Sequence, residues 1–68
     1  MYNKPKIIIE NNKIDITNFT DIDHFDSNKI ILKINNNITI VYGYNLIISR
    51  LVIDEVLIEG TISKIEFR

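Results

Sequence analysis

Ile38-Thr39-Ile40-Val41-Tyr42-Gly43-Tyr44-Asn45-Leu46-Ile47-Ile48-Ser49-Arg50-Leu51, followed after Val52-Ile53-Asp54 by Glu55-Val56-Leu57-Ile58-Glu59-Gly60-Thr61-Ile62-Ser63-Lys64-Ile65-Glu66-Phe67, decides the fold. Apolar residues alternate with polar or small ones in short runs, each cut by a glycine or an acidic turn, which is the period of strands and not of a helix. Ile38, Ile40 and Tyr42 share one face, as do Val56, Ile58 and Ile62 if the strand runs on through Gly60. Gly43 and Gly60 are the only glycines in the chain. With Asn45 they mark turn or bulge geometry, where positive φ or a close backbone approach is tolerated. No second glycine follows at phosphate-loop spacing, so neither is read as a ligand cradle.

Working outward, Lys29-Ile30-Ile31-Leu32-Lys33-Ile34 and Ile38-Thr39-Ile40-Val41-Tyr42 form the clearest hairpin, joined by Asn35-Asn36-Asn37. Lys6-Ile7-Ile8-Ile9-Glu10 reads as the first strand, approached through Pro5, which suits an edge. Asn11-Asn12 is expected to turn the chain in left-handed conformations, and Lys13 to Asn18 returns with Ile14 and Ile16 on one face. Thr20 to Asn28 reads as a solvated connection with Asx turns, held by Ile22 and Phe25 dipping into the core. Asn45 to Leu51, Glu55 to Glu59 and Thr61 to Phe67 complete the strands. The expected fold is all-β: one domain over residues 1–68, a small antiparallel β-meander roll or sandwich of about six to seven short strands. A spacing of about 16–17 residues (Ile16 to Leu32 to Ile48; Leu46 to Ile62) leaves a short β-solenoid as the alternative.

Composition narrows the function. A chain of 68 residues buries only about 60% of its unfolded surface. Seventeen isoleucines and no alanine disfavour helices, because β-branching restricts χ1 on a helix and fits a pleated surface. With no cysteine there is neither a disulfide framework nor a thiolate metal site. A net charge of −1 with interspersed signs gives no basic patch, and Tyr42 and Tyr44 are the only close aromatic pair. Nucleic-acid binding is therefore not expected, although a cold-shock or OB-type binding module has this size and remains the alternative function. Three aspartates and His24 lie within Asp21 to Asp26, but Asp21 and Asp23 match only the opening of a calcium loop. His24 is read as a surface histidine, with no metal and no cofactor. No serine is paired to it by a motif and no carboxylates are fixed on a common surface, so the chain is not read as an enzyme. No apolar run approaches a spanning helix and Met1 to Pro5 shows no signal pattern, which points to a soluble protein made and kept in the cytoplasm.

The succession Pro5-Lys6-Ile7-Ile8, Ile14-Asp15-Ile16-Thr17-Asn18, Ile22, Phe25, Ile38 to Ile48 and Glu55 to Phe67 resembles the YabP/YqfC sporulation protein family, closest to its YqfC branch. Gly43, Asn45 and Leu46 carry most of the likeness, with the closing pattern Ile58, Gly60, Ile62, Ile65 and Phe67. The chain departs from the family at its first turn, where Glu10-Asn11 stands for the usual glycine, and at Phe19 and Asp21, where a histidine and a glycine are common. The resemblance implies a small non-enzymatic protein of endospore-forming Firmicutes, needed for spore envelope morphogenesis. It further implies action in the mother-cell cytoplasm, with the forespore membrane surface as one place of work, and a membrane-protein partner encoded alongside. It supplies no site residues.

One expectation concerns association. Ile8, Ile31, Val41, Ile47 and Leu57 point away from the majority faces by strict alternation. Left in water, they would forgo about 1.5–3 kcal/mol each, roughly 8–15 kcal/mol together, so either a second layer within the chain or another subunit must cover them, and the subunit is expected because 68 residues leave little material for a second layer. A homo-oligomer held by these residues is the reading.

Overall fold

A computed structural model describes residues 6–68, so the edge role expected of Pro5 lies outside the described residues. Six strands follow in order: β1 Lys6–Ile9, β2 Lys13–Thr17, β3 Asp21–Phe25, β4 Lys29–Ile34, β5 Asn37–Val52 and β6 Glu55–Phe67. They form one sheet of order β1-β2-β6-β5-β4-β3. Every ladder is antiparallel, which excludes the parallel coils of a solenoid. The sheet ends in β1 and β3, which do not pair with each other, so it is not the closed barrel of a cold-shock or OB-type module.

Three local expectations need correction. The segment read as a solvated connection contains β3, which pairs with β4 across a bulge at Asp23. At the last strand of a sheet one flank and much of both faces meet water, so an Asp-rich sequence can be a strand there. Ile22 packs on the core, but Phe25 is exposed. Asn11-Asn12 does close a tight loop, Glu10 N–H to Lys13 C=O at 2.9 Å, yet the left-handed asparagines are Asn18, Asn35 and Asn45. Finally, the last four strand segments merge into two long strands, β5 and β6.

The long strands stay paired by absorbing extra residues. Ser63 lies between the pairs Tyr42↔Lys64 and Gly43↔Ile62, Asn45 and Leu46 face Gly60, and Ser49 lies between Ile48↔Ile58 and Arg50↔Leu57. These bulges bend the ribbon. Gly60 has φ 138° there, and a Cβ on it would sit 2.7 Å from the Asn45 carbonyl oxygen; one on Gly43 would collide with the Thr61 carbonyl oxygen. β2 pairs with the Glu55–Glu59 end of β6, whereas β4 pairs with the Asn37–Tyr42 end of β5, which is the opposite end of the ribbon. The sheet therefore folds over, and Ile14 and Ile16 of β2 join Ile30, Leu32 and Ile34 of β4 in one core with Val41, Leu46, Val56 and Ile58.

One step of the spacing that suggested a solenoid, from Ile16 to Leu32, has another origin. Gly60 N–H donates to Asn12 C=O and Gly43 N–H to Asn28 C=O, both at 3.0 Å, while Ile14 pairs with Ile58 and Ile30 with Val41. Hairpin β1–β2 thus sits on β6 as hairpin β3–β4 sits on β5. The repeat is an approximate two-fold relation inside one antiparallel sheet.

Candidate interaction surface

Register sorts the five residues expected to face outward. Val41 does not belong with them: it pairs with Ile30 and Ile65, is 0% exposed and lies in the core. Antiparallel partners share a face, and Ile30 is itself fully buried, so Val41 must point inward with it. Ile38 and Ile40, which alternate with Val41, consequently take the outer face. Ile40 is nevertheless nearly buried, in a cross-strand row with Ile31 and Glu66. Ile9 is on the core face opposite Ile14 but is 55% exposed, because no described strand lies beyond β1.

The remaining four lie on the outer face in two groups. Ile8, Leu57 and Ile47 belong to the β1–β2–β6 side, where Ile8 and Leu57 flank Asp15 and Ile47 pairs with Glu59. Ile31 lies on β4 toward the other edge, between His24 and Ile40. They do not make one contiguous patch.

Alternation alone does not single out the β5–β6 hairpin tip. Leu51 and Val52 are exposed and Ile53, at the turn, is 97% exposed. The tip is fixed in place, since Asp54 C=O accepts a 2.6 Å hydrogen bond from Asn18 N–H. The signal was present in the chain: an isoleucine stands at a tight turn where Asn, Gly or Asp would be usual.

Polar groups around these surfaces explain one another. His24 Nε2 lies 2.7 Å from Asp26 Oδ2, while Asp26 Oδ1 accepts the Asn28 and Lys29 N–H groups. The hydrogen bond from His24, then that from the Asn28 backbone, hold the Asp26 carboxyl below its usual range. No group of three metal-ligating side chains occurs among the described residues. Lys64 sits 5.6 Å from the centre of the Tyr42 ring and 3.9 Å from Glu66, so this basic and aromatic neighbourhood also carries a carboxylate. On the other outer region, Asp15 Oδ1 is buried with no donor among the described residues. Its neighbour Glu55 is pushed above the ordinary carboxylate range, first by a hydrogen bond to Asp15 and then by that group's charge.

An apolar cleft of about 400 Å³ opens where Ile7, Ile34, Ile38 and Phe67 converge. None of these arrangements holds a nucleophile beside a base. Among the described residues no helix is long and apolar enough to cross a membrane. Comparison with known proteins finds that a model of the YabP family matches residues 2–68. No curated protein and no solved structure is significantly similar to the chain.

Proposed function

Because the chain belongs to the YabP family, we propose that it is a structural or assembly protein of endospore formation, working through protein–protein contacts in spore envelope morphogenesis. Membership itself supports a role in sporulation, and the family is not a known enzyme family. The observation that carries the finer reading is the β5–β6 tip, which holds Leu51, Val52 and a nearly fully exposed Ile53 in water on an anchored turn. An exposed apolar cluster on a fixed support is what a docking element needs, since burial supplies affinity and little ordering entropy is lost. In this reading the tip meets a membrane-protein partner at the forespore membrane surface, on the mother-cell side. Ile8, Ile47, Leu57 and Ile31 supply further contacts, including those of self-association.

The test is genetic. Deleting the gene should block heat-resistant spore formation and leave vegetative growth normal; wild-type sporulation in the deletion strain would overturn the proposal. A complementing copy carrying Ile53→Asp should accumulate normally yet fail to restore spores. Full restoration by that copy would remove the tip from the argument.

A further inference from the structure

The two edges of the sheet formed by the described strands are unequal. β3 carries Asp21, Asp23 and His24 and is interrupted by a bulge, features that discourage pairing with another strand. β1 has no bulge and no charge between Ile7 and Ile9; its one charged residue, Lys6, stands at its end. It runs Lys6-Ile7-Ile8-Ile9 with four uninterrupted pairs to β2, followed directly by Glu10, and no described strand covers its other side.

We propose that β1 pairs with β1 of a second copy of this chain, antiparallel and centred on Ile8. Hydrogen-bond direction sets which registers are open. Glu10 N–H donates inward to Lys13 C=O, so by alternation Lys6 and Ile8 also face β2, and Ile7 and Ile9 turn their N–H and C=O groups to the open side. An external strand must therefore be met by Ile7 and Ile9. Centring on Ile8 sets Ile7 opposite Ile9 of the second copy, and the reverse, which satisfies all four outward N–H and C=O groups of each chain. The same register puts Lys6 opposite Glu10 of the second copy at both ends, and Ile8 opposite Ile8. Centring on Ile7 would set Pro5, which has no N–H, opposite Ile9. Centring on Ile9 would set Ile8 against Glu10 and leave Lys6 without a carboxylate. The sequence Lys-Ile-Ile-Ile-Glu is thus complementary to itself read backwards, which a two-fold contact requires and a contact with an unrelated strand does not. The pairing also covers Ile9, 55% exposed on the core face, and Ile8, 42% exposed on the outer face. This refines the self-association proposed above and is independent of the role in sporulation.

Sedimentation equilibrium of the full chain at about 100 μM, with circular dichroism to follow folding, tests it. The wild type should be a dimer. Lys6→Glu and Glu10→Lys should each raise its dissociation constant about tenfold, because two attractive pairs become repulsive. The double variant K6E/E10K, and an equimolar mixture of the two single variants, should return it to within about threefold of wild type. Ile9→Pro removes only an outward N–H, so it should keep the sheet and give a monomer. If that variant unfolds, the charge series decides alone. A monomeric wild type, or charge variants that all dimerise equally, would overturn the pairing. A dimer that survives Ile9→Pro but is dissociated by replacing Ile31 and Ile47 with lysine would overturn it too, while leaving self-association through the outer face standing.

Discussion

Gly60 and Glu55 are held in states that their neighbours impose. Gly60 lies at φ 138°, a region open to glycine and closed to branched side chains, with the Asn45 backbone where a Cβ would stand. Gly60→Val should therefore cost about 2–4 kcal/mol, well beyond the ~1 kcal/mol of an ordinary strand glycine, and lower the thermal midpoint by about 10 °C or more. An unchanged midpoint would contradict the strained geometry. Glu55 is raised above its ordinary value of 4.5 by Asp15. A group raised in the folded state contributes stability that is fully present below its unfolded value and lost as the pH rises through its folded value. Glu55→Gln keeps a donor toward Asp15 without the charge, so it should raise the midpoint at pH 7, and the gain should vanish by about pH 4. A midpoint at pH 7 equal to or below that of the wild type would refute this. Asp26 works in the opposite sense: its lowered value means that its contribution is present above 3.8 and lost as the pH falls through the folded value.

At the scale of the element, β5 shows how a bulge changes the meaning of alternation. Its inward residues are Thr39 and Val41 before Asn45, but Leu46 and Ile48 after it, because the extra residue shifts the period by one. Strict alternation put Val41 and Ile47 together on the outside. Only Ile47 is there. Val41→Lys should accordingly destabilise the chain by about 4 kcal/mol or more, a large part of the roughly 3–10 kcal/mol expected for a domain of this size. Ile47→Lys places an ammonium opposite Glu59 in water and should change stability by less than about 1 kcal/mol. Urea titrations of the two variants measure the contrast, and comparable losses would show that the face assignment is wrong. The same logic explains β3, whose charged residues are tolerable only because no further described strand packs beside it.

Across the whole molecule, the strand class and most turn positions were written in the chain. Isoleucine in place of alanine, period-two runs and clustered asparagines all act locally, within reach of a few residues, and they specify β-structure wherever the sheet lies. The resemblance to the YabP family was also legible, in Gly43, Asn45, Leu46 and the closing run to Phe67. Tertiary structure decided the rest. Apolar residues occur on both faces of nearly every strand, so alternation gives two sets without saying which is inside; that choice came from pairing Val41 with Ile30 and from folding β2 over onto β4. The pairing of β2 with β6 joins segments about forty residues apart, and the hydrogen bonds from Gly60 to Asn12 and from Gly43 to Asn28 fix where the ribbon bends. Neither leaves a local trace except the 16-residue step from Asn12 to Asn28 and the 17-residue step from Gly43 to Gly60, which a solenoid would produce equally well. What the sequence determined by itself is therefore the strands, through short-range propensity. Which side of each strand is the core, and which edge stays open, depended on long-range register, because burial is settled only when distant segments meet.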